Sequence, residues 1–161
     1  MSIRSSHSLK ETKMNSKQLD ISQKQEPDYT TAKITHVGFI DPYAMEGIAI
    51  LQSEDNKEFH MRAFSGEVAR HIKSFLEGHR DVLPTIYNMI EQICEESEML
   101  LVKVKVYESG TVLRANLYFT GKKDIVLRNY RASDAVALAA FYNIPILVRN
   151  TLLKDKMENL S

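Results

Sequence analysis

The sequence predicts an α+β domain, a single unit with an antiparallel or mixed sheet of about six to seven strands packed with three main helices. Short runs of alternating apolar and polar residues recur between turn residues, while other stretches repeat their apolar positions at helical spacing. The first three alternating runs are also joined by connections too short for parallel crossovers, which makes them an antiparallel meander.

Residues 1–30 are rich in Ser, Lys, Gln and Glu with scattered apolar positions. Such a composition cannot bury enough surface to offset its ordering entropy, so it reads as a flexible polar tail preceding a domain over residues 31–161. Leu9, Met14 and Leu19 do not close into an amphipathic stripe.

In the domain, AKITHVGFI and MEGIAILQS read as strands around an Asp41-Pro42 turn, and KEFHMRAF as a third after the polar EDN turn. Ser65 is placed to cap the next helix. Glu67 in its first turn faces the positive end of the dipole, Val68, Ile72, Phe75 and Leu76 form its apolar stripe, and Gly78 supplies the left-handed stop. Asp81 and Pro84 open a second helix in which Ile86, Met89, Ile90 and Ile93 repeat at helical spacing. Cys94 beside that stripe reads as a small core residue, since no basic neighbour is evident to activate its thiol.

LLVKVKVYESGTVLRANLYF is the clearest hairpin, with Ser-Gly at its turn. A two-residue turn there sets Val102, Val104 and Val106 opposite Leu117, Ala115 and Leu113 as the core face, and Lys105 across from Arg114 on the outer face. KDIVLRN is a further strand leading into the polar elbow RASD and a helix, Ala135 to Tyr142, with almost no polar face. That helix must be enclosed, and its alanines permit close approach. Asn143 ends it before the buried strand IPILV, and a short frayed helix closes the chain.

Charge narrows the function. Lys+Arg and Asp+Glu both number 21 in 161 residues, which removes the global positive field of a dedicated nucleic-acid binder and makes any anion site local. A local excess does exist: Lys103, Lys105, Arg114, Lys122, Lys123 and Arg128, with Arg131 nearby and Tyr107 and Tyr118 as stacking platforms. It reads either as a solvated outer face or as a nucleic-acid-binding surface. A single cysteine excludes an intrachain disulfide, and the five histidines show no ligand-pair spacing. With no run of apolar residues long enough to span a bilayer and no signal-peptide core, a cytoplasmic protein without membrane contact is expected.

RASDAVALAAFYNIPILV resembles the C-terminal half of the bifunctional nuclease domain family, whose pattern runs approximately Asp-x-Arg-Pro-Ser-Asp-Ala-Ile-Ala-Leu-Ala before a short Ala-Pro-Ile-rich strand. Arg131, Ser133, Asp134, Ala135, Ala137, Leu138, Ala139, Pro145 and Ile146 keep that pattern. GEVARHIKSFLEG is similar to the family's Glu-Ala helix, which puts Glu67 on the family glutamate. The likeness spans residues 34–153. It departs where the family has Arg-Pro-x-Thr-His-Asp-Leu: Pro84 stays, but Leu83, Ile86, Tyr87 and Asn88 replace its Arg, Thr, His and Asp. Asn129 and Ala132 stand at the family's Asp and Pro.

The resemblance implies hydrolysis of RNA and DNA phosphodiester bonds, impaired by the lost His and Asp. Catalytic roles would fall to Glu67, Arg131 and Asp134, with Glu67 and Asp134 as base or as ligands of Mg²⁺ or Mn²⁺ and Arg131 on the phosphate. No organic cofactor is implied. RNA or DNA would be the partner, in a homo-oligomer. Two other readings compete: a non-catalytic nucleic-acid or anion-binding module, and an oligomeric interaction module using strand edges and the acidic EESE segment. Ser133 with Asp134 equally suits a helix cap, the hydroxyl on a backbone N–H and the carboxylate at the dipole. Convergence of Glu67, Arg131 and Asp134 on one cleft is the deciding geometry.

Overall fold

A computed structural model describes residues 26–81 and 84–159, so residues 1–25 of the expected tail, and Leu83, lie outside it. Among the described residues, seven strands form one mixed sheet: β1 (Tyr29–Phe39), β2 (Glu46–Ser53), β3 (Glu58–Ser65), β4 (Leu100–Ser109), β5 (Val112–Thr120), β6 (Ile125–Arg131) and β7 (Ile146–Arg149). Three main helices follow β3, precede β4 and follow β6: α1 (Gly66–Leu76), α2 (Ile86–Glu96) and α3 (Ala132–Tyr142). A short 3-10 turn (Asn150–Leu152) and α4 (Lys156–Asn159) complete the chain. β1 begins at Tyr29, inside the stretch expected to be tail, because its backbone pairs with Arg149 of β7.

The strand order is β3-β2-β1-β7-β4-β5-β6. Every neighbouring pair is antiparallel except β4 with β7. The order is symmetric about β7, with β1-β2-β3-α1 on one side and β4-β5-β6-α3 on the other, an internal repeat invisible in the sequence. Both halves turn from strand to helix in the same way. Ala63 and Asn129, each two residues before its helix N-cap, take left-handed φ values of 58° and 66°. The caps themselves match, Ser65 at φ −58°, ψ 136° and Arg131 at φ −61°, ψ 127°.

α1 lies over β1 and β2, α3 over β4 and β5, and the two helices pack on each other. Ala135, Ala137 and Ala139 are buried along α3, and their small side chains allow the close approach. At the start of α1 there is no room for any side chain: a Cβ on Gly66 would lie 1.9 Å from the Ala44 carbonyl oxygen. The turn carrying Ala44 is held by Asp41, whose carboxylate accepts the backbone N–H groups of Tyr43, Met45 and Glu46.

α2 presents a different face from the one its periodicity suggests. Ile86, Met89 and Ile93 are more than half exposed, while Tyr87 and Cys94 are buried and Ile90 is packed in part. The deciding residue is Tyr87, whose ring meets Phe75 edge-on at 5.0 Å and lies 6.2 Å from Phe141. Burying one aromatic ring in that cluster outweighs burying one more isoleucine. Asn88 then closes the helix start: its carbonyl accepts from the Thr85 N–H at 3.0 Å, and its amide donates to the Arg80 carbonyl at 3.2 Å.

The hairpin also differs in register. Its turn is Gly110-Thr111, not Ser109-Gly110, so Val104 faces Leu117, Val106 faces Ala115, and Lys105 faces Asn116. Gly110 has φ +66°, as the first central residue of a type II′ turn requires, whereas the expected turn would begin on a serine. No Lys105/Arg114 pair forms; Arg114 faces Tyr107 on one side and Arg131 on the other.

Nor are Lys103 and Lys105 solvent-facing. Both are buried beneath the Glu26 carboxylate, which bonds Lys105 and lies 3.5 Å from Lys103. The Tyr118 ring is within 5.0 Å of both ammonium groups. Burial works to raise the Glu26 carboxyl, but hydrogen bonds and charge from the lysines outweigh it and hold it below its usual range. A buried cation needs such partners, which explains why these two lysines do not form an open patch.

Candidate functional site

Both strand-to-helix junctions reach one cavity of about 400 Å³, lined by Arg62, Ser65, Thr111, Arg114, Arg131 and Ser133 together with apolar side chains of β3 and β5. Three arginines therefore border one hollow. Neither Arg62 nor Arg114 has a carboxylate partner among the described residues. Arg131 has a loose one, its Nε 4.0 Å from Asp134 with both side chains well exposed. Helix N-termini add unsatisfied N–H groups and positive potential, so the cavity suits an anion with several oxygens, phosphate above all.

The Ser65 hydroxyl accepts from the Glu67 N–H at 3.1 Å and caps α1. Ser133 does not cap α3: the N-cap is Arg131, without a side-chain cap bond, and Ser133 is buried within the first turn. With the N-cap two residues earlier than expected, Ser133 becomes part of the cavity lining instead. Asp134, next in the chain, is not among the residues lining that cavity but lies 4.0 Å from Arg131 at its edge. It borders a second, mainly apolar cavity of about 400 Å³ with Ile86, Tyr87, Leu127, Tyr130 and Leu138.

Glu67, Arg131 and Asp134 do not line one cleft: Arg131 borders the first cavity, Asp134 the second and Glu67 neither, although both carboxylates act on Tyr87. Burial first, then the Asp134 and Glu67 carboxylates, push the Tyr87 phenol up to about 12, so it stays protonated at neutral pH. His71 joins them, its Nε2 3.7 Å from Glu67 and its ring edge-on to Tyr87 at 5.3 Å. Sequence reasoning passed over His71, although its i,i+4 spacing from Glu67 on one helix is the signal that finds it. Arg62 was missed because nothing local ties β3 to the elbow.

The remaining cations lie elsewhere. Lys122 and Lys123 follow the far end of β5, roughly 25 Å from Arg114 by strand rise, and Lys122 is 3.5 Å from Glu98. Arg128 is exposed on the edge strand β6.

At the positions where the resemblance implies carboxylates, the amides serve the fold. The Asn129 carbonyl accepts from the Tyr107 hydroxyl, and its backbone N–H donates to Asn116 at 3.1 Å. Asn also tolerates the left-handed backbone found there. Among the described residues no three His, Cys, Asp or Glu side chains come together. The carboxylates at hand already have basic neighbours, Asp134 facing Arg131 and Glu67 facing His71. Mg²⁺ is commonly held by one or two carboxylates with waters and substrate phosphates; Glu67 and Asp134 would have to release His71 and Arg131 to hold one here, and no step below runs through a metal.

Fold and cavity together define an α+β domain with an arginine-lined hollow between paired strand-to-helix elbows. The chain belongs to the bifunctional nuclease domain family, which matches it over residues 49–161, 15 residues further toward the C-terminal side at the start than the likeness read from motifs. No curated protein matches it. Among the described residues, no helix is long and apolar enough to cross a membrane.

Proposed function

We propose that this domain binds RNA or DNA and hydrolyses its phosphodiester bonds at the arginine-lined cavity. The observation that carries this reading is the meeting of Arg62, Arg114 and Arg131 at one hollow in a chain of zero formal charge. The guanidinium groups neutralise the non-bridging oxygens as charge builds on phosphorus. Asp134, beside Arg131, takes the proton of the attacking water. The new P–O bond forms as the old one breaks, and the leaving oxygen is protonated from solvent. Glu67 with His71 is a second acid-base pair, on α1 and outside the lining of the cavity.

The test is cleavage of single-stranded RNA and DNA with Mg²⁺, Mn²⁺ or chelator, beside Asp134→Ala. Loss of a positioned base costs about 10²–10⁴ in rate. Equal degradation by both proteins would overturn the assignment, and the chelator arm decides whether the metal implied by the resemblance takes part.

A second reading has its own support. The Asn88 side chain is committed to backbone hydrogen bonds and the Asn129 side chain to the Tyr107 hydroxyl, which favours an anion-binding module that kept the fold and lost turnover. It would show salt-dependent binding without cleavage, weakened by Arg114→Glu.

A further inference from the structure

The second cavity shares only Asp134 with the phosphate chemistry above. Its walls are apolar or aromatic except for Asp134 at its rim. Ile86, Leu127 and Tyr130 are 59%, 38% and 52% exposed, so a phenol ring and two aliphatic side chains stand around an open hollow. Concave apolar surface of this kind with one or two polar groups is what small planar ligands occupy.

Its position names the occupant. Tyr130 and Arg131 are consecutive on β6, and Ser133 and Asp134 are consecutive on α3. In each pair one residue lines the arginine-lined cavity and the other lines this one. Consecutive strand residues point to opposite faces, so the hollows lie on either side of the end of the edge strand β6, and Arg131, 4.0 Å from Asp134, links one to the other. A ligand with a phosphate for the first and a flat, largely apolar ring for the second is a nucleotide. We propose that the hollow beside Tyr130 receives an unstacked nucleobase whose phosphate sits on Arg62, Arg114 and Arg131.

The ligand class is accordingly single-stranded nucleic acid. A base held in a duplex offers only its edges, whereas an unpaired base can leave its stack and lie on an aromatic ring. Tyr130 supplies that ring, with Leu127 and Ile86 closing the sides of the slot. The inference rests on the phosphodiester reading of the arginine-lined cavity for its anchor, but it does not require turnover.

Anisotropy of a labelled single-stranded oligonucleotide, the same strand in a blunt duplex, and displacement by inorganic tripolyphosphate together test it. The full chain is expected to bind the single strand at least ten-fold tighter than the duplex. Tyr130→Ala should lose roughly ten-fold in single-strand affinity, keep its response to tripolyphosphate, and be rescued by Tyr130→Phe. Unchanged affinity in Tyr130→Ala, equal binding of duplex and single strand, or parallel loss of tripolyphosphate would each overturn the subsite. So would a homodimer in sedimentation that Tyr130→Ala dissociates, because the hollow would then belong to a second copy. Binding that follows the expected pattern without cleavage keeps the subsite and removes hydrolysis alone.

Discussion

Arg114 and Arg131 occupy directly paired positions on β5 and β6 and line one cavity with Arg62. Like charges directly across a ladder destabilise a sheet, so the free protein carries a repulsion that a bound anion removes.

Arg114→Ala should therefore act in opposite directions in the free and liganded protein. Without ligand it raises stability by a few tenths of a kcal/mol. With tripolyphosphate it abolishes the rise in melting temperature that selective binding to the folded state gives the parent. Thermal unfolding at low salt, with and without tripolyphosphate, measures both.

Tyr87 should leave a mark on alkaline stability. Its phenol is pushed up to about 12 by burial and then by Asp134 and Glu67, while an unfolded tyrosine ionises near 10. The unfolded chain then holds fewer protons than the folded one, so stability falls as pH rises from about 10 to about 12. Tyr87→Phe should flatten that decline in urea unfolding. An unchanged slope would show that the ring titrates as if exposed.

Asn88→Asp restores the residue found in the related motif and should still cost about 1 kcal/mol. A carboxylate can accept from Thr85 but cannot donate to the Arg80 carbonyl as the amide does. Urea denaturation compares the two proteins, and Asn88→Ala, lacking both functions, should fall further.

Among the described residues, the Tyr142 hydroxyl is enclosed without a hydrogen-bond partner of good geometry. The Cys94 thiol lies beside it as a weak one, and burial, ahead of Cys94, drives the phenol well above its ordinary range. Tyr142→Phe should stabilise the protein by about 1 kcal/mol, read from the urea midpoint at unchanged slope.

Much of this architecture is legible in the residues because it depends on local periodicity. The meander, α1 with its Ser65 cap and Gly78, and the apolar α3 each follow from neighbours within a turn or two. What escaped depends on distant partners. Tyr87 rotates α2 because Phe75 and Phe141 wait for it, and Lys103 and Lys105 are enclosed because Glu26 arrives from across the sheet. The elbow of Arg131, Ser133 and Asp134 stands out where polar residues interrupt apolar ones, yet only folding brings Arg62 to it. A one-residue choice at Gly110 reset the hairpin, since its backbone preference outranks a match of side-chain types.

β7 comes from the far end of the chain, yet it is the strand between β1 and β4. A ribosome releases both three-stranded halves before it delivers the wedge that joins them, so β1 and β4 wait as raw borders until Ile146–Arg149 arrives. Nascent chains stalled or clipped before that point would be the ones to stick to each other.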